Sequence, residues 1–279
     1  MFFVLLSLAL AAALYWKSRA PEPVPAPPAL PSPRPSPHPT RSRSPRSERT
    51  PEPSPLHAGA PRIALVIDDL GNELASAERI ARWREPVAGA VLPDLPHSAA
   101  AARALAAGGK EILLHLPMEP EGYPRIRPGP GVILRSQSDA EIVRALDADL
   151  ASVPGAVGVN NHMGSAATAD PRVMRAVAGV LARRGLFFVD SRTTDATVAE
   201  TVAEATSVPA VSRRVFLDDV PTENAVRAQL AELVRRAKQE KAAVAIGHPY
   251  AVTLGVLERE LGNLRREGVE IVRVSELAK

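Results

Sequence analysis

The pattern of apolar and polar positions divides the chain at about residue 62. Beyond that point apolar, β-branched runs of strand length recur at 62–67, 86–92, 111–114, 156–159, 186–189, about 211–217, 242–246 and 269–274. Between them apolar residues fall at helical spacing, most clearly over 73–83, 138–152 and 171–184. Ser138 with Glu141 three residues on predicts a capping box, and Asp170-Pro171 at one end with Gly185 at the other predicts a helix start and stop. Strands alternating with helices require a parallel sheet covered by helices, because each parallel crossover needs a return of helix length. No Gly-x-Gly-x-x-Gly follows the first run, so the expected α/β fold over 62–279 is a (β/α) barrel of seven or eight units rather than an open dinucleotide-binding sheet.

Upstream the pattern is different. Met1 to Trp16 carry no charged side chain and precede Lys17 and Arg19, which predicts a signal peptide or signal anchor at 1–16 and an exported protein, periplasmic or tethered to the membrane and facing the cell envelope. Residues 17–61 follow as a linker. Fifteen of the 28 prolines lie within 21–61, in a mixture with Ala, Ser and Arg that cannot bury apolar surface, so this stretch is expected to be extended or disordered. As polyproline II it reaches on the order of 100 Å, and the two histidines it holds, His38 and His57, read as incidental.

Charge and composition narrow the function. The formal net charge is +3, but seven of the 34 basic and three of the 31 acidic residues precede residue 62, leaving 27 against 28 in the domain. No basic face is indicated, which argues against a nucleic-acid partner. With no cysteine, any metal site must use oxygen and imidazole ligands.

Candidate chemistry lies where the runs end. Asp68-Asp69 ends the first run, His115 the third, Asn160-Asn161-His162 the fourth, Asp190 the fifth, Asp218-Asp219 the sixth and Gly247-His248 the seventh. In a parallel barrel these ends meet at one face, where such enzymes build their sites. Turn and cap roles account for Asp218-Asp219, ahead of a Thr222 cap, and for Asp94 and His97 in a Pro-rich turn. Histidine is not a preferred turn former, so three at equivalent strand ends beside an Asp pair point to a site. Adjacent carboxylates leaving a strand point in different directions, and one of them with His115 and His162 makes an oxygen and nitrogen site suited to zinc or a similar divalent ion. Such an ion lowers the pKa of a water towards about 7 and a free carboxylate can take its proton, which is the machinery of metal-assisted hydrolysis.

The segments Ile67-Asp68-Asp69-Leu70-Gly71, His115-Leu116-Pro117-Met118-Glu119-Pro120, Asn160-Asn161-His162-Met163-Gly164-Ser165, Asp190-Ser191-Arg192-Thr193 and Gly247-His248-Pro249 together resemble the divergent polysaccharide deacetylases, distant relatives of the NodB-type carbohydrate esterases. The resemblance covers about 62–277. It implies an irregular (β/α)7-8 barrel of the glycoside hydrolase and deacetylase type, with Asp68 as base, Asp69 and His162 as ligands of a divalent metal and His248 as acid. The relatives take both metal histidines from one His-x-x-x-His segment, and neither His115 nor His162 has a histidine four residues on. His115 is the choice for third ligand and Asp190 the competitor; failing that, Asp190 orients His248 or holds Arg192 over an acyl oxygen. Asn161, Arg192 and Tyr250 are candidate substrate contacts, although Arg192 reads equally as a solvated charge, and Tyr250 or Tyr123 as packing. The expected partner is an envelope polysaccharide or peptidoglycan-type glycan from which an N- or O-acyl group is removed. The alternative is a non-catalytic envelope module that binds a glycan or protein on a degenerate deacetylase barrel.

Overall fold

The computed structural model describes residues 59–279; the expected export segment 1–16 and nearly all of the linker at 17–61 lie outside the described residues. The chain runs β1 (Arg62–Leu70), α1 (Ala75–Ala81), β2 (Ala88–Val91), α2 (Ser98–Ala107), β3 (Ile112–Met118), α3 (Asp139–Ser152), β4 (Gly158–Met163), α4 (Pro171–Arg184), β5 (Phe187–Asp190), α5 (Ala199–Ala205), β6 (Ala210–Ser212), β7 (Val215–Phe216), α6 (Glu223–Glu240), β8 (Ala242–Gly247), α7 (Ala251–Arg266) and β9 (Glu270–Ile271). Caps set several boundaries. Ser138 and Glu141 exchange the two bonds of a capping box, Asp170 accepts from the amides of Arg172 and Val173, and Gly185 ends α4 in the left-handed region.

Every strand pairing is parallel, in the order β6-β5-β4-β3-β2-β1-β8-β7, with β9 beside the start of β1. The sheet curls into a β/α barrel. The single run expected at about 211–217 is divided between two neighbours: Ala210–Ser212 pairs with β5, Val215–Phe216 pairs with β8, and the partner changes at Arg213 and Arg214. Arg213 N–H donates to Asp190 O and Arg214 N–H to Val244 O, so this one segment joins the two margins of the sheet. The last expected run, 269–274, is a strand only over Glu270–Ile271, with a 3-10 turn at Val274–Glu276.

Alternation along each strand sorts the side chains into two cores. Ile63, Leu65 and Ile67 of β1 pack outward with Ile80, Leu105 and the other helix residues, while Ala64 and Val66 face inward with Leu113, Val189, Val244 and Ile246. Val272, Val274 and Leu277 join this inner cluster. A period of two then carries the inner face of β1 on to Asp68, of β3 from Leu113 to His115, and of β8 from Val244 and Ile246 to His248. Polar groups therefore stand above an apolar lumen at the strand ends. Among the described residues no helix is long and apolar enough to cross a membrane.

Candidate metal centre

Two consecutive residues of a strand normally face opposite ways, yet Asp68 and Asp69 both belong to the site. The register of β1 against β2 shifts between Ile67 and Leu70, and Asp69 takes a left-handed φ of 55°. This bulge turns the Asp69 carboxylate back over the barrel. There Asp69 Oδ1 lies 3.2 Å from His115 Nε2 and 3.0 Å from His162 Nδ1, and the two ring nitrogens are 3.0 Å apart. Asp69 Oδ1 is buried and accepts no hydrogen bond. Ligand atoms about 2 Å from a tetrahedral zinc ion stand roughly 3.3 Å from one another, so this spacing fits such an ion, with one position left open.

The proton on His115 is placed by its neighbours. Asn160 Nδ2 donates to Asp68 Oδ1 at 2.8 Å, which turns Asn160 Oδ1 towards His115 Nδ1 at 2.9 Å. On this network Nδ1 carries the hydrogen and Nε2 presents a lone pair to the cluster, the arrangement a metal ligand needs. Burial pushes the Asp69 carboxyl up, but the His115 and His162 imidazoles outweigh it and hold it far below the usual carboxylate range. Asp68 is buried and shifts the other way, because burial there exceeds the pull of His115 and the Asn160 bond.

His248 completes the ring, with Nε2 3.8 Å from Asp69 Oδ2. Its Nδ1 meets Asp218 Oδ1 at 2.9 Å, while Asp218 Oδ2 accepts from the His248 backbone N–H at 2.6 Å and from Thr253 Oγ1 at 2.8 Å. Burial alone would lower the His248 pKa; the Asp218 carboxylate overrides it and raises it. Asp218 does lie in the loop ahead of the Thr222 cap, but it is more than a turn residue: it is buried and orients an imidazole. The signal for it was present, since Phe216 packs against the inner core and Asp218 follows it by two.

Asp190 corrects the expectation in the opposite sense. Phe188 packs outward and Phe187 and Val189 inward, so alternation aims Asp190 away from the lumen. Its Oδ1 accepts from the Arg192 N–H at 2.8 Å and its Oδ2 from Thr197 Oγ1 at 2.9 Å, and it joins neither the three-ligand cluster nor His248. Asn161 also faces a loop, accepting from Ser191 N–H at 2.9 Å and donating to Met163 O at 2.8 Å. Arg192 lines the groove that holds the cluster. Tyr250 stands exposed at the rim, its ring 5.6 Å from that of His248.

The parallel β/α sheet thus gathers one Asp and two His at its strand ends as a candidate metal centre. The chain belongs to the divergent polysaccharide deacetylase family, whose family model matches residues 65–278. It is 35% identical over 224 residues to the uncharacterized protein YibQ of Escherichia coli (strain K12), a match covering 80% of this chain and 69% of that one. An uncharacterized protein of Haemophilus influenzae is 35% identical over 216 residues, covering 77% of this chain and 76% of its own. Among solved structures, an uncharacterized protein of Agrobacterium tumefaciens C58 superposes with a TM-score of 0.75 at 26% identity, over 78% of this chain and 89% of that one.

Proposed function

We propose that this protein is a metal-dependent hydrolase that removes an N- or O-acyl group from a cell-envelope polysaccharide or peptidoglycan-type glycan. The observation that carries the reading is the buried, unbonded Asp69 Oδ1 between His115 Nε2 and His162 Nδ1, flanked by one carboxylate and one imidazole that need not be ligands. Asp69, His115 and His162 would hold the ion. A divalent cation there, zinc by the chemistry of the donors, supplies Lewis acidity to the acyl oxygen and to the attacking water.

The chain's own groups handle the protons. Asp68 has Oδ1 committed to Asn160, which leaves Oδ2, 3.5 Å from His115 Nε2, to take a proton from water as that water adds to the acyl carbon. Burial raises Asp68 and so strengthens it as a base. His248, kept protonated to a higher pH by Asp218, delivers a proton from Nε2 to the departing nitrogen or oxygen as the acyl bond breaks. Asn160 keeps base and ligand in register. We further propose that residues 1–16 export or tether the domain and that 17–61 let it work at a distance from a membrane.

The test is acetate release from N- and O-acetylated glycans by the full chain supplied with zinc, beside Asp68→Asn. Release by the native chain that is lost in the variant, with bound metal retained, supports the reading. Metal binding with no release from any acetylated glycan would favour a binding module instead.

A further inference from the structure

The Asp190-Ser191-Arg192-Thr193 loop supplies no metal ligand, yet its backbone is pinned from Asp190 to Arg192. Asp190 Oδ1 holds the Arg192 N–H, Asn161 Oδ1 holds the Ser191 N–H at 2.9 Å, and Thr193 Oγ1 donates to Met163 O at 2.8 Å. Within this frame Arg192 is forced to a left-handed φ of 48°, a conformation that costs free energy in any residue with a side chain. The carbonyls of Ser191 and Arg192 serve as acceptors for a second arginine. Arg213, at the point where the closing segment changes partner, donates from Nε to Ser191 O at 2.6 Å and from Nη2 to Arg192 O at 2.9 Å. The loop therefore places both arginines on the lining of the groove of about 890 Å³ that also contains Asp68, Asp69 and His248.

Neither cation is neutralised in the usual way. No carboxylate lies within ion-pair distance of Arg213 among the described residues, and the one ion pair of Arg192 there is with Asp195, at 3.6 Å and fully exposed, while Asp190 bonds the Arg192 backbone N–H rather than its guanidinium. Arg214 and Arg236, further along the same groove, are by contrast paired with Glu240 and Glu232. Arg213 also lies 5.1 Å over the Phe216 ring, whose other neighbour is His248, so an apolar face adjoins the cationic pair.

We infer that this groove takes a saccharide carrying an oxyanion, a carboxylate or a phosphate, which Arg192 and Arg213 bind. The inference rests on the hydrolase reading and narrows its substrate to an acidic glycan. Guanidinium groups suit such anions because their planar forks match the oxygen pair of a carboxylate or phosphate.

Titration calorimetry of the zinc-loaded full chain with glucuronic acid, glucose 6-phosphate and glucose tests it. At least one acidic sugar is expected to bind on the order of tenfold tighter than glucose, and the stronger of the two identifies the anion. The preference should disappear in Arg192→Gln, whose side chain bonds nothing in the frame, and fall in Arg213→Lys, which keeps the charge but not the fork. Equal binding of all three sugars overturns the proposal. So does a preference that survives Arg192→Gln, since the metal would then be holding the anion. None of the probes carries an acyl group, so missing turnover leaves this result standing, and a missing preference leaves acetate release untouched.

Discussion

Two carboxylates in this domain have a buried oxygen without a hydrogen bond, and they lie in different surroundings. Asp69 sits at the strand ends against two imidazoles; Asp149 sits on α3 under the 119–138 loop, where Gly131 presses on it. At Asp69 the imidazoles outweigh burial and keep the group ionised. At Asp149 no cation answers burial, the charge of Asp94 adds to it, and the pKa is pushed up to about 8. Desolvation by itself thus makes a neutral acid, whereas desolvation with nitrogen donors on two sides makes an anion held ready for a metal. An unbonded carboxylate oxygen is not a site until its neighbours are named.

The contrast can be broken first at its stronger pole. Asp69→Ala should lower zinc affinity at least about 100-fold, read as bound metal after dialysis, because a charged ligand is lost while both histidines remain. Unchanged metal content would end the ligand assignment. Asp218→Asn should lower acetate release roughly 10- to 100-fold with bound metal unchanged, and should move the alkaline limb of the rate profile to lower pH as His248 loses its carboxylate.

The weaker pole is tested by stability. The folded pKa of Asp149 lies above its ordinary value of 3.8, so between about pH 4 and pH 8 the folded chain keeps a proton that the unfolded chain has already released. Stability should fall as pH rises through that window, by up to about 1.4 kcal/mol per pH unit from this group, and level off above it. Asp149→Asn should remove that slope in urea unfolding at pH 5 and pH 7. Gly131→Ala should cost about 1–3 kcal/mol in the same measurement, because Gly131 has a φ of +73° and an added Cβ would stand 2.2 Å from Asp149 Oδ1.

Much of the barrel was legible because alternation survives to the strand ends. The same period of two that sorts Ala64 and Val66 from Ile63 and Leu65 places Asp68, His115 and His248 over the lumen. It also argues against Asp190 as a ligand or a partner of His248 and for Asp218, so position along the strand carries both signals. Helix caps at Ser138 and Asp170 were explicit in residue type. Other features carry no local signature. The bulge that turns Asp69 is a left-handed residue without glycine, and no spacing announces it. The division of 210–216 between two neighbours depends on strands far along the chain. Arg213 was passed over because an arginine within a strand-length run looks like a surface charge until its carbonyl partners are known.

That divided segment has a consequence for life at high concentration. A curled parallel sheet that fails to close leaves two margins of bare amides and carbonyls, and such margins recruit strands from other molecules. Here each margin is occupied by half of one segment, and Lys279 exchanges both backbone hydrogen bonds with Ala210. What remains uncovered is only a few residues long on either side of Arg213 and Arg214, too short to template a foreign strand and marked by two positive charges. Arg213, where the segment changes partner, thus serves both the closing of the barrel and the lining of its groove.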